Sequence, residues 1–154
     1  MTFEMKKIVF TFSIVMLFVA GQAQVINPVQ WTYTARKIAD KTYELHISAT
    51  LGDKWHIYSQ DGGEGPVSTT FTFTKNPLVS LEGKTKESGK MKKVHEEAFG
   101  SDVRFYEKSV DFVQVVKLKG NVKTNVTGKV EFMVCNDREC LPPAEVEFKV
   151  NIGG

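Results

Sequence analysis

Helix-period hydrophobicity is missing from this sequence: no segment sustains an apolar stripe at 3.6-residue spacing, which excludes a helical bundle. Charge imbalance is missing too. A formal charge of +2 over 154 residues, with 25% charged and 42% hydrophobic content, is that of a folded globular protein and demands no nucleic-acid partner. The one basic stretch, Lys84, Lys86, Lys90, Lys92 and Lys93, has no interleaved aromatics on which bases could stack, and reads as a solvated connection. There is no Gly-x-Ser-x-Gly elbow, no phosphate loop and no dinucleotide fingerprint, which removes the sequence ground for those chemistries. His46, His56 and His95 are scattered without metal-helix spacing, and a metal held by both cysteines and a histidine would compete with oxidation, so neither metal nor cofactor is expected. Cysteine is scarcest of all. Cys135 and Cys140 are the only two.

A single long hydrophobic run is present, and it lies at the N-terminus. Lys6 and Lys7 precede apolar residues from Ile8 to Ala20, followed by Gly21, Gln22 and Ala23. A basic start, a short apolar stretch and small residues at the cleavage site are the signature of a secretory signal peptide. The run falls short of the roughly 20 residues that span a bilayer, which argues against a retained anchor. The expected division is a signal peptide over residues 1–23 and one domain over residues 24–154, exported from the cytoplasm.

Beyond that point the pattern is period two. Tyr43, Leu45, Ile47, Ala49 and Leu51 alternate with Glu44, His46, Ser48 and Thr50, which predicts a half-buried strand, closed by Gly52 and Asp53. Shorter strand patterns occur at Trp31 to Ala35, Trp55 to Ser59, and Phe71 and Phe73, with a glycine-rich loop from Asp61 to Pro66. Leu78 to Leu81 is a weaker strand, and the lysine-rich residues after it read as a loop or an irregular edge. Val103 to Leu118 is rich in β-branched residues, and apolar side chains fall on both of its faces, which predicts a strand buried on both sides or bulged. Val130 to Val134 and Val146 to Ile152 alternate and should pair as a hairpin around Pro142 and Pro143. Many short strands with regular turns predict an all-β fold, an immunoglobulin-like antiparallel sandwich.

Two cysteines in an exported chain predict one disulfide. Four residues separate them, so their Cα atoms come within the necessary ~7 Å only if the loop folds back, for which Asn136 and Asp137 are suited. Closing so short a loop stabilises the fold by only about 2 kcal/mol in the chain-entropy account. Two readings stand side by side: a local staple in a non-catalytic binding or structural sandwich, or a dithiol that exchanges with partner thiols. Arg138 favours a thiolate while Asp137 and Glu139 oppose it, so no lowered thiol pKa follows from the neighbours.

The stretch V-E-F-M-V-C-N-D-R-E-C-L-P-P-A-E-V-E-F over residues 130–148 resembles the cysteine hairpin of the N-terminal periplasmic domain of the DsbD thiol:disulfide interchange proteins. W-H-I-Y-S at residues 55–59 with G-P-V at 65–67, and H-E-E-A-F-G at 95–100 with R-F-Y-E at 104–107, follow in matching order. The resemblance implies an immunoglobulin-like domain in the periplasm that passes electrons from a membrane-embedded donor or a thioredoxin-like domain to periplasmic thiol proteins. It also implies that Cys140 attacks the partner's disulfide and Cys135 resolves the mixed disulfide. A cap loop with Phe99, preceded by Glu96 and Glu97, would shield the pair, with Trp55, Tyr58 and Tyr106 as the aromatic wall. Taken without the resemblance, Phe99 is an ordinary loop aromatic, and Trp55 and Tyr58 are core. A membrane donor encoded separately is the expected source of electrons.

Overall fold

A computed structural model describes residues 27–154; the expected signal peptide over residues 1–23 lies outside the described residues. Among the described residues every regular element is a strand: β1 (Val29–Ala39), β2 (Thr42–Leu51), β3 (His56–Tyr58), β4 (Thr70–Phe73), β5 (Val79–Ser88), β6 (Met91–Glu96), β7 (Ser101–Glu107), β8 (Ser109–Leu118), β9 (Thr124–Phe132), β10 (Val134–Cys135) and β11 (Ala144–Ile152). They form three hydrogen-bonded groups in the orders β1-β2-β8-β5, β11-β9-β4 and β10-β3-β7-β6. Every pairing is antiparallel. The result is an immunoglobulin-like β-sandwich.

The alternation along β2 is realised as read: Tyr43, Leu45, Ile47, Ala49 and Leu51 are buried and meet side chains from the β11-β9-β4 sheet in one core. Aromatic rings bridge the two layers, with Phe71 at 5.0 Å from Phe112, Trp31 at 5.1 Å from Phe132 and Tyr33 at 5.9 Å from Phe148, centroid to centroid. Offset and edge-on pairs of this kind add to the stabilisation that comes from burying their area. The expected hairpin of the last two segments is β9 with β11, in register from Ala144 opposite Phe132 to Ile152 opposite Thr124.

The Val103 to Leu118 stretch differs from the single strand expected. It divides at Lys108, whose φ of 65° turns the chain from β7 in one group into β8 in another. Within β8 the alternation is regular. Val110, Phe112, Val116 and Leu118 face the core, while Val113 and Val115 are half-buried on the outer face of a strand held between β2 and β5. The irregularity belongs to the partner, since the register of β5 shifts between Glu82 and Lys86. Gln114, buried on the core side, serves that shift: its Nε2 donates to the carbonyls of Glu82 and Val115, and its Oε1 accepts from Thr85 Oγ1. Backbone carbonyls that the broken ladder would leave bare are thereby satisfied.

The lysine-rich region is more ordered than a loop. Lys84 and Lys86 lie in β5 and Lys92 and Lys93 in β6, both edge strands. Charged side chains on an edge keep its unpaired backbone groups from recruiting another chain. The third group, β10-β3-β7-β6, contributes Ile57, Tyr106 and Val134 to the main core. It has a small apolar cluster of its own, made of Tyr58, Val103, Phe105 and Cys135.

Candidate functional site: a half-buried disulfide beside a tyrosine hub

Strand β3 is three residues long and has β10 on one side and β7 on the other. The register sets Cys135 opposite His56 and Val134 opposite Ile57, then His56 opposite Glu107, Ile57 opposite Tyr106 and Tyr58 opposite Phe105. Because successive side chains on a strand point to opposite faces, His56, Tyr58, Cys135, Phe105 and Glu107 share one face, while Ile57, Val134 and Tyr106 share the other and enter the main core.

Cys135 and Cys140 are joined in a disulfide, with Cα atoms 4.0 Å apart across an isolated antiparallel bridge. The turn between them is held by Asn136, whose Oδ1 accepts from the amides of Arg138 and Glu139 at 2.8 and 2.9 Å, while its own amide donates to the Glu139 carbonyl. This is the side-chain-to-backbone bonding that makes Asn a turn residue. The two sulfurs differ in setting. Cys135 is 0% exposed and Cys140 is an exposed residue.

Tyr58 is the hub. Its hydroxyl lies 3.2 Å from Cys135 Sγ, 3.2 Å from Glu96 Oε2 and 3.3 Å from His56 Nε2, with one proton to share among the three. Burial, reinforced by the Glu96 carboxylate, holds its phenol pKa well above the ordinary value of 10. Burial also lowers the pKa of His56 below 6.5, against the opposing pull of Glu96, Glu107 and Asp137. The His56 ring packs against Phe105 at 4.3 Å between centroids, tilted by 33°. A cavity of about 540 Å³ adjoins this face, with Trp55, His56, Glu96, Phe105, Glu107 and Asp137 among its walls.

Phe99 crowns a tight turn in which the amides of Phe99 and Gly100 donate to the Glu96 carbonyl at 3.1 and 2.9 Å. Its ring meets Tyr58 edge-on at 6.2 Å and packs on the cluster that contains Cys135. Gly65 makes room for it. A Cβ at Gly65 would stand 2.6 Å from the Phe99 ring, and the backbone there has a φ of 112°.

The structure therefore brings Cys135, Cys140, Tyr58, Glu96 and Phe99 together. Glu97 is exposed and contributes only its carbonyl to the turn. Trp55 packs against the main core and reaches this end of the molecule only as a wall of the cavity. Tyr106 is not in the aromatic wall: it is 3% exposed within the main core, its phenol pushed up to about 12 by burial and by Glu87. Its neighbour Phe105 takes that place. Phe105, His56 and Met133, which also packs on the small cluster, join the site without any signal in their own sequence neighbourhood. In the R-F-Y-E stretch either aromatic can face the cysteines, and only the pairing with β3 selects Phe105. Among the described residues no three His, Cys, Asp or Glu side chains converge as a metal site.

The family described as the N-terminal domain of thiol:disulfide interchange protein DsbD matches the chain over residues 22–152. The chain belongs to this family. Several solved structures share its fold. The DsbD N-terminal domain of Neisseria meningitidis in its reduced form is 16% identical with a TM-score of 0.57, over 84% of this chain and 92% of that one. The N-terminal periplasmic domain of ScsB from Proteus mirabilis is 17% identical with a TM-score of 0.52, over 80% of this chain. This chain covers 44% of that one. A chain from the complex between the DsbD N-terminal and PilB N-terminal domains of Neisseria meningitidis is 14% identical with a TM-score of 0.51, over 82% of this chain and 87% of that one. No curated protein is matched. At these identities the likeness is one of fold.

Proposed function

We propose that this chain is a periplasmic thiol:disulfide interchange module that carries two electrons at a time on the Cys135 and Cys140 pair. The observation that carries this reading is the asymmetry of the disulfide, in which Cys140 is an exposed residue and Cys135 is sealed behind Tyr58 and Phe105. Exchange needs a thiolate in line with an accessible sulfur, so a partner engages Cys140. In the reduced protein the Cys140 thiolate attacks a partner disulfide and forms a mixed disulfide, and one partner sulfur leaves as a thiolate. Cys135 then attacks Cys140, the mixed disulfide breaks, and the partner departs as a dithiol while the Cys135 to Cys140 bond reforms. A donor dithiol returns the electrons by the reverse sequence. The donor is membrane-embedded or a thioredoxin-like domain, and the acceptors are periplasmic thiol proteins. Membership of the DsbD N-terminal family supports the reading. The complex between the DsbD and PilB N-terminal domains is a precedent for pairing with a second protein.

The reduction potential of the pair tests it, measured on the mature protein equilibrated with glutathione and quenched by thiol alkylation. A value between roughly −250 and −120 mV, where exchange proteins lie, is expected. A value below about −300 mV makes the bond a structural staple and removes the reading.

Phe99, with Glu96 and Glu97, is the cap of this site in the same reading. Substituting Gly65 by Ala forces a Cβ against the Phe99 ring at a backbone angle that L-residues avoid. The expected result is displacement of Phe99 from Tyr58 and a several-fold faster reduction of the disulfide by dithiothreitol. Phe99→Ala should show the same acceleration without backbone strain. Unchanged rates in Phe99→Ala would mean that the ring shields nothing.

A further inference from the structure

When a partner thiolate attacks Cys140, the electron pair of the breaking bond goes to Cys135 Sγ. That sulfur is fully buried among Tyr58, Val103 and Phe105. A thiolate in apolar surroundings is disfavoured, so the leaving group needs a proton as it forms. Solvent does not reach Cys135. The polar side-chain atom placed against it is the Tyr58 hydroxyl, at 3.2 Å. Behind that hydroxyl stands His56 Nε2, at 3.3 Å.

We propose that His56 supplies this proton through Tyr58, acting as the general acid for departure of Cys135. The proposal rests on the interchange reading above and adds a residue to it. The register places His56 directly opposite Cys135 with both side chains on one face, and the imidazole packs against the Phe105 ring with centroids 4.3 Å apart. His56 is half-buried and lines the 540 Å³ cavity, so it connects the sealed sulfur with the outside.

The step balances. The partner's sulfur bonds to Cys140 Sγ, and the bond between Cys140 and Cys135 breaks. The imidazolium passes its Nε2 proton to the Tyr58 oxygen as Tyr58 passes its own proton to Cys135 Sγ. The products are a mixed disulfide on Cys140, a neutral Cys135 thiol, an intact Tyr58 phenol and a neutral His56. One proton from solvent then restores the imidazolium. In the reverse direction His56 takes up the proton as Cys135 closes the disulfide.

Several charged groups face His56. Glu96 from β6, Glu107 from β7 and Asp137 from the cysteine turn favour its cation, while burial opposes it. Asp53, Lys54 and Lys108 line the same cavity. Glu96 Oε2 also lies 3.2 Å from the Tyr58 hydroxyl, so it is the rival end of the relay.

The test is the pH profile of disulfide reduction in the mature protein. Dithiothreitol is the reductant, each rate constant is divided by the fraction of reductant present as thiolate, and thiols are counted by quenched alkylation and mass. The wild type is expected to show an acid limb, the corrected rate falling about tenfold per pH unit above a midpoint lower than histidine's ordinary 6.5, as for one ionised acid. His56→Gln flattens the limb. Tyr58→Phe, which keeps the ring and its packing, flattens it as well. Glu96→Gln keeps it and moves its midpoint to lower pH, because that carboxylate stabilises the cation. A flat wild-type profile overturns the relay, as does a limb that survives in His56→Gln or in Tyr58→Phe, or one lost in Glu96→Gln. If dithiothreitol cannot reduce the folded protein at all, the interchange reading itself falls.

Discussion

Reduced Cys135→Ala protein mixed with a disulfide-bearing partner should accumulate a covalent complex through Cys140, while Cys140→Ala protein should form none. The first half follows from removal of the resolving thiol. Cys135 faces Cys140 across one β-bridge, 4.0 Å from Cα to Cα, so in the native protein its attack on the mixed disulfide is intramolecular and well oriented. Such alignment is equivalent to an effective concentration of about 10⁵ M or more, and its loss should lengthen the life of the mixed disulfide by ~10³-fold or beyond. The second half follows from burial. With Cys140 gone, the remaining sulfur is 0% exposed behind Tyr58 and Phe105, and a partner cannot approach it in line. Non-reducing electrophoresis with mass analysis of the cross-linked peptide reads both outcomes. Equal trapping through Cys135 would invert the assigned roles, and trapping by neither variant would leave the pair without exchange chemistry.

The largest effect on stability should come from Phe112→Ala, at about 3–5 kcal/mol. Phe112 is 0% exposed and contacts Phe71 and Trp31 with centroids 5.0 and 6.3 Å away, so its ring ties β8 to both neighbouring aromatic groups of the core. β8 is also pinned on each side, by β2 and by β5, and cannot move in to fill the space. For a domain of this size the loss corresponds to a fall of roughly 10–20 °C in Tm. Reduction of the disulfide should cost less, about 2 kcal/mol, because the cysteines are only 5 apart in sequence. Urea denaturation of the wild type in oxidised and reduced form, beside Phe112→Ala, gives the comparison. A reduced protein less stable than Phe112→Ala would mark the bond as a structural staple.

The strands were legible wherever one face meets the core and the other meets water. β2 and β11 show this, since their apolar residues fall on one parity throughout. β8 was read less well. Val113 and Val115 are as apolar as their buried neighbours, and Gln114 occupies a core position because a shift in a strand far away in sequence needs its amide. The lysine-rich segment was read as a connection because its charges hide the pattern of two edge strands.

At the site, the cysteine pair, its turn-forming Asn136 and the aromatic stretches were visible in the chain itself, since each rests on neighbouring residues. The choice among those aromatics was not. Tyr58 and Tyr106 are both tyrosines next to an apolar residue in a short strand, yet one touches the buried sulfur and the other enters the main core.

The sequence by itself determined an all-strand sandwich, one cysteine pair and the loop that lets it close, because alternation, turn chemistry and cysteine spacing are local. Only the tertiary structure decided which sulfur is sealed, that Tyr58 meets Cys135 77 residues away and Glu96 38 residues away, and that His56 stands behind them. A strand's two faces are equivalent until partners distant in sequence pair with it, and it is the register of β3 between β7 and β10 that turned one face into a site.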